Sequence, residues 1–213
     1  LCSLTSFKKP SIGIISTWKS RCGIATYSEH LLSQFETDYL ILASNKSNLE
    51  GDNCIRCWEL GNDDLHELFD CIIENNISTI LVQFNYGFFD FTSFSKFLKR
   101  THDNNIKIVV ILHSTIDPKT DLTKKLKFIA KELAICNRLL VHTPSDLNRL
   151  KDLGLINNVA LFPHGINDLD TYNRKNDFIK YTNQELNLST FGFCLPNKGF
   201  QELIQAVKIL HAA

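Results

Sequence analysis

Residues 106–112 carry the pattern that most constrains the fold of this chain. Their sequence, IKIVVIL, is almost wholly apolar and rich in β-branched side chains. A strand has this pattern when helices cover both of its faces, which is the situation in parallel sheets. Because parallel strands need long crossover connections, the chain must also supply helices between its strands. The run therefore predicts an α/β fold with a buried parallel sheet.

Strand and helix patterns alternate along the chain. Short apolar runs predict strands, and apolar residues at helical spacing predict the helices between them. The predicted strands cover residues 12–15, 39–42, 54–60, 80–84, 106–112, 139–141 and 159–162. The predicted helices cover residues 24–35, 65–73, 91–98, 122–135 and 144–154, and Asp63 or Asp64 is the expected cap of the second. This alternation predicts a Rossmann-like, doubly wound parallel sheet over residues 10–165.

A second strand–helix pattern follows this first domain. Residues 166–187 are polar and predict a linker. Residues 188–193 then predict a strand and residues 199–210 a helix, which together form the start of a second Rossmann-like domain over residues 188–213. The chain has no methionine and ends inside this predicted helix. We therefore expect the sequence to be a piece of a longer protein.

Charge and composition exclude several classes of partner. The chain has 23 basic and 23 acidic residues, so no nucleic-acid surface is predicted. No apolar run approaches the roughly 20 residues of a membrane span. Seven cysteines are scattered along the chain, which favours a reduced, cytoplasmic location over a disulfide framework. Cys54 and Cys57 have a C-x-x-C spacing without a second pair, so no metal site is predicted.

The loops after the predicted strands are the expected place for a ligand. In an open parallel sheet, ligands bind beyond the carboxyl ends of the strands. The first such loop, residues 16–23, places Arg21 and Gly23 at a helix start. Free backbone N–H groups at that position favour an anion such as phosphate. An ordinary glycine-containing turn is the alternative.

Three histidines follow predicted strands. His113 directly ends the strand at residues 106–112, and His142 and His164 hold comparable positions. A histidine at a strand end can donate to a ligand oxygen or move a proton near neutral pH. A hydrogen-bonded structural histidine is the alternative for each, and it is the favoured interpretation for His142 and His164.

Lys198 precedes Gly199 at the start of the last predicted helix and lies six residues after Gly192. A lysine at a helix start suits a diphosphate, because its charge adds to that of the helix dipole. A solvated surface lysine is the alternative.

Five segments, taken in order, resemble the group 1 glycosyltransferases, which form the retaining family 4 with the GT-B fold. The segments are SIGIISTWKSRCGIATYSEHLL, QFNYGFFD, VVILHST, LLVHTPSDLNRLKDLG with NVALFPHGI, and STFGFCLPNKGFQELIQAVKIL. The first is similar to the subgroup with an Arg-Cys-Gly-Ile-Ala loop. The resemblance implies two Rossmann-like domains that face each other across a cleft. The donor would bind mainly to the second domain and the acceptor mainly to the first.

The resemblance also implies roles for individual residues. His113 matches the histidine near the reacting sugar, and Lys198 matches the lysine that neutralises the leaving diphosphate. The implied donor-side residues are Arg21, Gly23, Gly192, Lys198 and Gly199, and the implied acceptor-side residues are Asn85, Tyr86 and His164. No metal or other cofactor is implied, because cationic side chains and the helix dipole stabilise the leaving-group charge.

Two positions depart from the family pattern. Phe193 stands where an arginine often partners the lysine, and Asn85 stands where the subgroup often has glutamate. The paired glutamates that hold the donor in the family would lie beyond residue 213. We therefore expect this piece alone to be inactive.

The resemblance predicts a glycosyltransferase that moves a hexose from a nucleotide diphosphate sugar to a glycan, polysaccharide or lipid-linked acceptor. A non-catalytic binding or scaffold domain of this fold is one alternative, and a sugar-nucleotide epimerase of the same architecture is another. Some relatives contact the inner face of a membrane through basic amphipathic helices. Here four lysines lie on a predicted helix with an apolar opposite face: Lys124, Lys125, Lys127 and Lys131. A solvated helix face is the favoured interpretation, and a peripheral membrane contact is the alternative.

Overall fold

The structure is a computed structural model that describes residues 11–45, 53–166, 188–192 and 198–212. The chain divides into two compact units, Leu1–Gly165 and Ile166–Ala213. The first unit contains a sheet with its helices. Apart from Ile166, the predicted linker at residues 166–187 lies outside the described residues.

A parallel sheet organises the first unit. Its seven strands are β1 (Ile12–Ser16), β2 (Tyr39–Ser44), β3 (Cys54–Trp58), β4 (Thr79–Phe84), β5 (Lys107–Leu112), β6 (Arg138–Val141) and β7 (Val159–Leu161). They lie in the order β3-β2-β1-β4-β5-β6-β7, and every neighbouring pair is parallel. The prediction of a Rossmann-like α/β fold is confirmed, and each predicted strand of this unit is present.

The strand order reverses direction between β1 and β4. Ile12 of β1 pairs with Tyr39 of β2 on one side and with Thr79 of β4 on the other. The chain then builds outward from β1 towards β3 and from β4 towards β7. Connections therefore leave the two central strands in opposite directions, and such a switch point opens a crevice at the carboxyl edge of the sheet.

Helices cover both faces of this sheet. Ile14 and Ile15 of β1 belong to different apolar clusters, because adjacent residues of a strand point to opposite faces. Leu32 of α1 (Gly23–Leu32) packs in the cluster of Ile14. The cluster of Ile15 contains residues from α2 (His66–Glu74), α3 (Phe91–Asp103), α4 (Ala130–Ile135) and α5 (Pro144–Asp152). The sheet is thus wound on both faces, as predicted.

Gly13 permits the close packing of β1. A Cβ atom at this position would lie 2.9 Å from Cδ1 of Ile77 and 3.1 Å from Cδ1 of Leu42. Ile77 and Leu42 are both buried, so a larger residue at position 13 would have to displace the ends of these side chains. Glycine therefore avoids a close contact at this position.

The predicted continuous helix over residues 122–135 is wrong. A short 3₁₀ helix, Leu126–Phe128, and the separate helix α4 take its place. The backbone between them is not α-helical, since Ile129 has φ −117° and ψ 13°. The carboxylate of Asp117 accepts the N–H of Leu126 at 3.0 Å. Because a side-chain acceptor at this point competes with helical hydrogen bonding, the helix cannot begin as early as the apolar spacing predicts.

The predicted cap of α2 is also corrected. Its N-cap is Leu65, in the left-handed region with φ 61°, rather than Asp63 or Asp64. The two carboxylates instead accept backbone N–H groups nearby, Asp63 from Leu65 at 2.7 Å and Asp64 from His66 at 3.0 Å. Both aspartates therefore hold the turn before the helix.

The second unit contains α6 (Phe200–Ala212), which agrees with the predicted helix. Gly192, with φ 128°, and Gly199, with φ 75°, adopt the left-handed conformation that favours glycine. The predicted strand at residues 188–193 is not seen over residues 188–192, and Phe193 lies outside the described residues. A strand is defined by hydrogen bonds to a neighbouring strand, and the apolar run alone does not provide one. None of the described helices is both long and apolar enough to cross a membrane.

Candidate functional site

Three histidines meet at the carboxyl edge of the sheet. His113 follows β5, His142 follows β6 and His164 lies three residues after β7. The ring centroids of His113 and His142 are 5.1 Å apart, and the rings of His142 and His164 stack with centroids 3.8 Å apart. The sequence places each histidine after a strand, and the fold brings the three rings into contact.

Tyr27 of α1 joins these three rings. Its ring centroid lies 4.8 Å from that of His113, 5.4 Å from that of His142 and 5.5 Å from that of His164. We refer to Tyr27, His113, His142 and His164 as the His–Tyr cluster. In the sequence, Tyr27 is only one member of an apolar helix face, and helical spacing carries no signal for a binding site.

Gln83, near the end of β4, holds one ring nitrogen of His113. Nε2 of His113 lies 2.6 Å from Oε1 of the fully buried Gln83. An amide oxygen can only accept, so the Nε2–H group of His113 donates to it. In a neutral imidazole the second nitrogen is then an acceptor. Nδ1 of His113 therefore presents an acceptor rather than a donor.

His142 is held in the corresponding way through its other nitrogen. Nδ1–H of His142 donates to the backbone oxygen of Phe162 at 2.9 Å. Within the part of the chain that the structure describes, the buried Nε2 of His142 and the buried Nε2 of Gln83 have no hydrogen-bond partner. Buried polar atoms normally have one. Each of these two atoms is therefore an exception that the protein itself does not satisfy.

His113 and His142 are neutral at physiological pH. Burial, together with the smaller effects of the neighbouring His142 and His164, lowers the pKa of His113 to about 3. Burial also lowers the pKa of His142, against the opposing effect of its hydrogen bond to Phe162. His113 and His142 therefore offer uncharged hydrogen-bonding groups and are not cations that would attract a phosphate.

The loop after β1 ends in a helix start with free backbone donors. Gly23 is the first residue of α1, Arg21 lies two residues before it, and both are exposed. The N–H of Thr26 donates to the oxygen of Cys22 at 3.2 Å and closes the first helical turn. The N–H groups of residues 23–25 therefore have no acceptor within the helix. An anion would be stabilised at this end of α1.

Neither packing nor backbone conformation requires glycine at position 23. A Cβ atom at Gly23 would meet no described atom within 4 Å, and its φ is not in the left-handed region. In the same loop, the hydroxyls of Thr17 and Ser20 are buried without a hydrogen-bond partner among the described residues. Gly23 therefore faces open space, and two hydroxyls of the preceding loop are left without a partner.

The two predicted acceptor-side residues after β4 make contacts within the protein. Oδ1 of Asn85 accepts the N–H of Gly87 at 2.9 Å. Tyr86 is buried, and its hydroxyl donates to Asp117 at 2.9 Å. Burial and the Asp117 carboxylate raise the pKa of Tyr86 well above its usual range. Asn85 and Tyr86 hold the loops in place, whereas His164, the third predicted residue, is exposed in the His–Tyr cluster.

A polar network that the sequence did not indicate joins the loops after β5 and β6. Asp146 of α5 accepts from the hydroxyl of Thr115 at 2.6 Å, from that of Thr143 at 2.5 Å and from Arg149 at 2.6 Å. Burial raises the pKa of Asp146, but these hydrogen bonds outweigh it and the net pKa is lowered. Thr143, Asp146 and Arg149 lie at i,i+3 spacing from the N-cap of α5 onward, whereas Thr115 comes from the loop after β5. Local spacing could not reveal this last contact.

Lys198, Gly192 and Gly199 belong to the second unit. Lys198 is exposed and directly precedes Gly199. The oxygen of Gly199 accepts the N–H of Leu203 at 2.9 Å, at the start of α6. Lys198 thus lies at the amino-terminal end of this helix. Its role at a diphosphate stays a prediction.

The cysteines are free thiols rather than ligands in the described structure. Burial raises the pKa of Cys54, and it raises that of the buried Cys57 further. Protonated thiols are poor nucleophiles and poor metal ligands. Over the described ranges, no group of three or more His, Cys, Asp or Glu side chains could hold a metal ion.

No protein-family model matches the chain, and no curated protein matches it. Function is therefore inferred from the site and from the resemblance of its segments.

Proposed function

We propose that the protein is a retaining glycosyltransferase that moves a hexose from a nucleotide diphosphate sugar to a glycan, polysaccharide or lipid-linked acceptor. The observation that carries the proposal is the pair of neutral histidines at the carboxyl edge of the sheet. His113 and His142 each donate one ring N–H to the protein, which leaves the other nitrogen of each neutral ring as an acceptor. Hexose hydroxyls are the kind of donor that such acceptors match.

The start of α1 supports a phosphate next to that sugar. The N–H groups of residues 23–25 suit an anion, and Arg21 adds a positive charge. Tyr27, which contacts the histidines, lies four residues, or about 6 Å, further along α1 than Gly23. That separation has the scale of a sugar phosphate, with the sugar at the His–Tyr cluster and the phosphate at the helix start.

The proposed reaction is a front-face displacement at the anomeric carbon. The bond from that carbon to the diphosphate oxygen breaks while the acceptor oxygen bonds on the same face, and the acceptor proton leaves with the diphosphate. His113 would orient the sugar through Nδ1, and Lys198 would stabilise the charge of the leaving diphosphate. Because the pKa of His113 is about 3, its proposed role is orientation rather than proton donation.

Sugar transfer by the intact protein tests this proposal, with nucleotide sugars and candidate acceptors supplied. We expect His113→Ala and Lys198→Ala each to reduce transfer by about a hundredfold. His30→Ala, at an exposed residue of α1, is the matched control and should leave transfer unchanged. If both His113→Ala and Lys198→Ala retained full transfer, the site assignment would be wrong.

A non-catalytic binding domain is the second candidate, and one observation favours it. Asn85 stands where the resemblance leads us to expect glutamate, and its side chain is occupied by the N–H of Gly87. A side chain that holds a turn contributes less to an acceptor site. Calorimetry with nucleotide sugars separates the two candidates, because a transferase binds one of them and a scaffold binds none.

A further inference from the structure

A pocket of about 150 Å³ lies between α2 and α3 and shares no residue with the His–Tyr cluster. We refer to it as the α2–α3 pocket. The apolar part of its lining consists of Leu65, Phe69 and Phe97, each of which is at most 4% exposed. This is about the volume of an apolar cavity that holds one benzene ring. The α2–α3 pocket therefore has room for a single small ring and is too small for a nucleotide.

Arg100 of α3 is held at one side of this pocket. Its guanidinium lies 3.7 Å from the ring centroid of Phe69. Nη1 of Arg100 donates to Nδ1 of His66 at 3.2 Å, since a guanidinium can only donate. Nη2 lies 3.6 Å from Oδ1 of the exposed Asp70. These contacts fix the guanidinium and engage only part of its five N–H donors, so Arg100 can still donate to a ligand.

Lys96 is the second cation of the α2–α3 pocket. It lies four residues before Arg100, so the two side chains share one face of α3, and both line the pocket. Lys96 is exposed, and within the ranges that the structure describes its side chain forms no ion pair. Ser93, three residues earlier, adds a hydroxyl to the same lining. Lys96 is thus the positive charge that a ligand would neutralise.

Nearby carboxylates limit the negative charge that this pocket can accept. Asp64 lines the pocket, is exposed, and accepts the N–H of His66 through Oδ1 at 3.0 Å. Two cations and one carboxylate give the lining a charge of +1. Outside the lining, Asp70 already faces Arg100. A monoanion would neutralise the remaining charge, whereas a phosphate dianion would be opposed by Asp64.

We propose that the α2–α3 pocket binds a small aromatic monocarboxylate. The ring would lie against the apolar lining, and the carboxylate would pair with Lys96 and accept from Arg100. A free hexose would find few partners for its hydroxyls on an apolar lining, and a neutral ring would leave Lys96 unpaired. The proposal does not depend on the proposed function, because the two sites have no residue in common.

NMR titration of the isotopically labelled whole chain with benzoate tests the proposal. We expect saturable shifts in the amide signals of residues 64–70 and 93–100. The Kd should be about 1 mM, because one exposed ion pair and one partly buried ring bind weakly. Benzamide has the same shape without the charge and should bind about tenfold more weakly. Acetate, which lacks the ring, and inorganic phosphate should produce little shift.

Two substitutions of opposite effect test the charges of the pocket. Lys96→Gln should weaken benzoate binding about fivefold, because the ion pair is lost. Asp64→Asn should strengthen it about threefold, because the opposing charge is removed while the amide oxygen can still accept the N–H of His66. Lys151→Gln, at an exposed lysine of α5, is the charge-matched control and should bind like the wild type. Thermal unfolding of each variant checks that these exposed substitutions leave the fold intact.

Three outcomes would overturn the proposal. The first is the absence of a saturable benzoate shift at residues 64–70 and 93–100. The second is equal binding of benzoate and benzamide, or benzoate binding that neither Lys96→Gln nor Asp64→Asn changes, since the carboxylate would then have no part in recognition. The third is phosphate binding that Lys96→Gln abolishes in a chain that ignores benzoate, which would make the pocket a site for another class of anion.

Discussion

The hydrogen bond from His113 to Gln83 decides which chemistry that histidine can perform. It holds the ring proton on Nε2, and burial keeps the ring neutral. Nδ1 of His113 can therefore accept a hydrogen bond from a ligand hydroxyl, but the neutral ring cannot neutralise the charge of a phosphate. At the level of single residues, the His–Tyr cluster is suited to hydroxyl groups, and the start of α1 is suited to an anion.

Substitution of Gln83 tests this assignment of the ring proton. In Gln83→Leu, Nε2–H of His113 loses its acceptor, and we expect the ring nitrogen chemical shifts to move towards a mixture of the two tautomers. The free energy of unfolding should fall by about 1–3 kcal/mol, because a buried donor is left unpaired. Gln34→Leu, at an exposed glutamine, is the control. An unchanged tautomer in Gln83→Leu would show that Gln83 does not set it.

The low pKa of His113 predicts that stability depends on pH. An unfolded histidine takes up a proton near pH 6.5, whereas the folded ring resists protonation down to about pH 3. Between these values the unfolded state binds more protons, so stability is full above about pH 6.5 and falls as the pH falls. We expect His113→Asn to flatten the plot of unfolding free energy against pH, measured with urea. His30→Asn should retain the wild-type slope, and equal slopes in all three proteins would contradict the pKa assignment.

At the scale of elements, the strands of the first unit were predictable and the interrupted helix was not. The apolar run at residues 106–112 corresponds to β5, and Pro144 begins α5 as its sequence position indicates. Both signals are local. The interruption before Leu126 depends on the carboxylate of Asp117, nine residues earlier in the chain. Apolar spacing cannot show that a side chain will capture a backbone donor.

The same distinction applies to the candidate site. The positions of His113 and His142 could be predicted because each follows a strand, and the carboxyl ends of parallel strands share one edge. For His142, however, the sequence favoured a structural role. Tyr27 and Gln83 could not be predicted, because their roles depend on contacts with rings from other elements. Asn85 and Tyr86 were expected to face a ligand, but loop contacts occupy their polar groups.

Gly13 in β1 and Gly23 at the start of α1 allow a matched test of how packing around a glycine affects stability. Gly13→Ala would place a Cβ atom 2.9 Å from Ile77, so we expect it to lower the free energy of unfolding by about 1–3 kcal/mol. Gly23→Ala meets open space at a helix start and should leave stability unchanged or raise it by up to about 1 kcal/mol. Urea unfolding measures both variants. If the two variants had the same free energy of unfolding, the close contact at Gly13 would not determine stability.

At the scale of the whole molecule, the sheet topology collects the ligand-facing loops of the first unit at one edge. The loops after β1, β4, β5 and β6 all leave the same side, since every strand is parallel. The chain has no net charge, so attraction of a ligand over long distances is not expected. Recognition would then depend on short-range hydrogen bonds within this edge.

NMR titration of the isotopically labelled chain tests whether a ligand binds at the carboxyl edge of the sheet. A hexose phosphate should shift the amide signals of residues 17–27, 113–117 and 142–146 at the carboxyl edge. Signals of residues 104–106, at the opposite edge, serve as the internal control. Inorganic phosphate should affect the start of α1 alone, and His142→Ala should weaken only the response to the sugar. Shifts centred on residues 104–106 would place the ligand at the wrong edge.

The His–Tyr cluster has a consequence for the order of folding. It brings Tyr27 of α1, the first helix, into contact with His164, which lies more than a hundred residues later in the chain. Contacts between such distant residues form only after much of the intervening chain has lost its conformational freedom. β4 and β5, which are connected by α3 alone, can pair earlier. During synthesis, the chain would therefore acquire its candidate site only after β7 has emerged and docked beside β6.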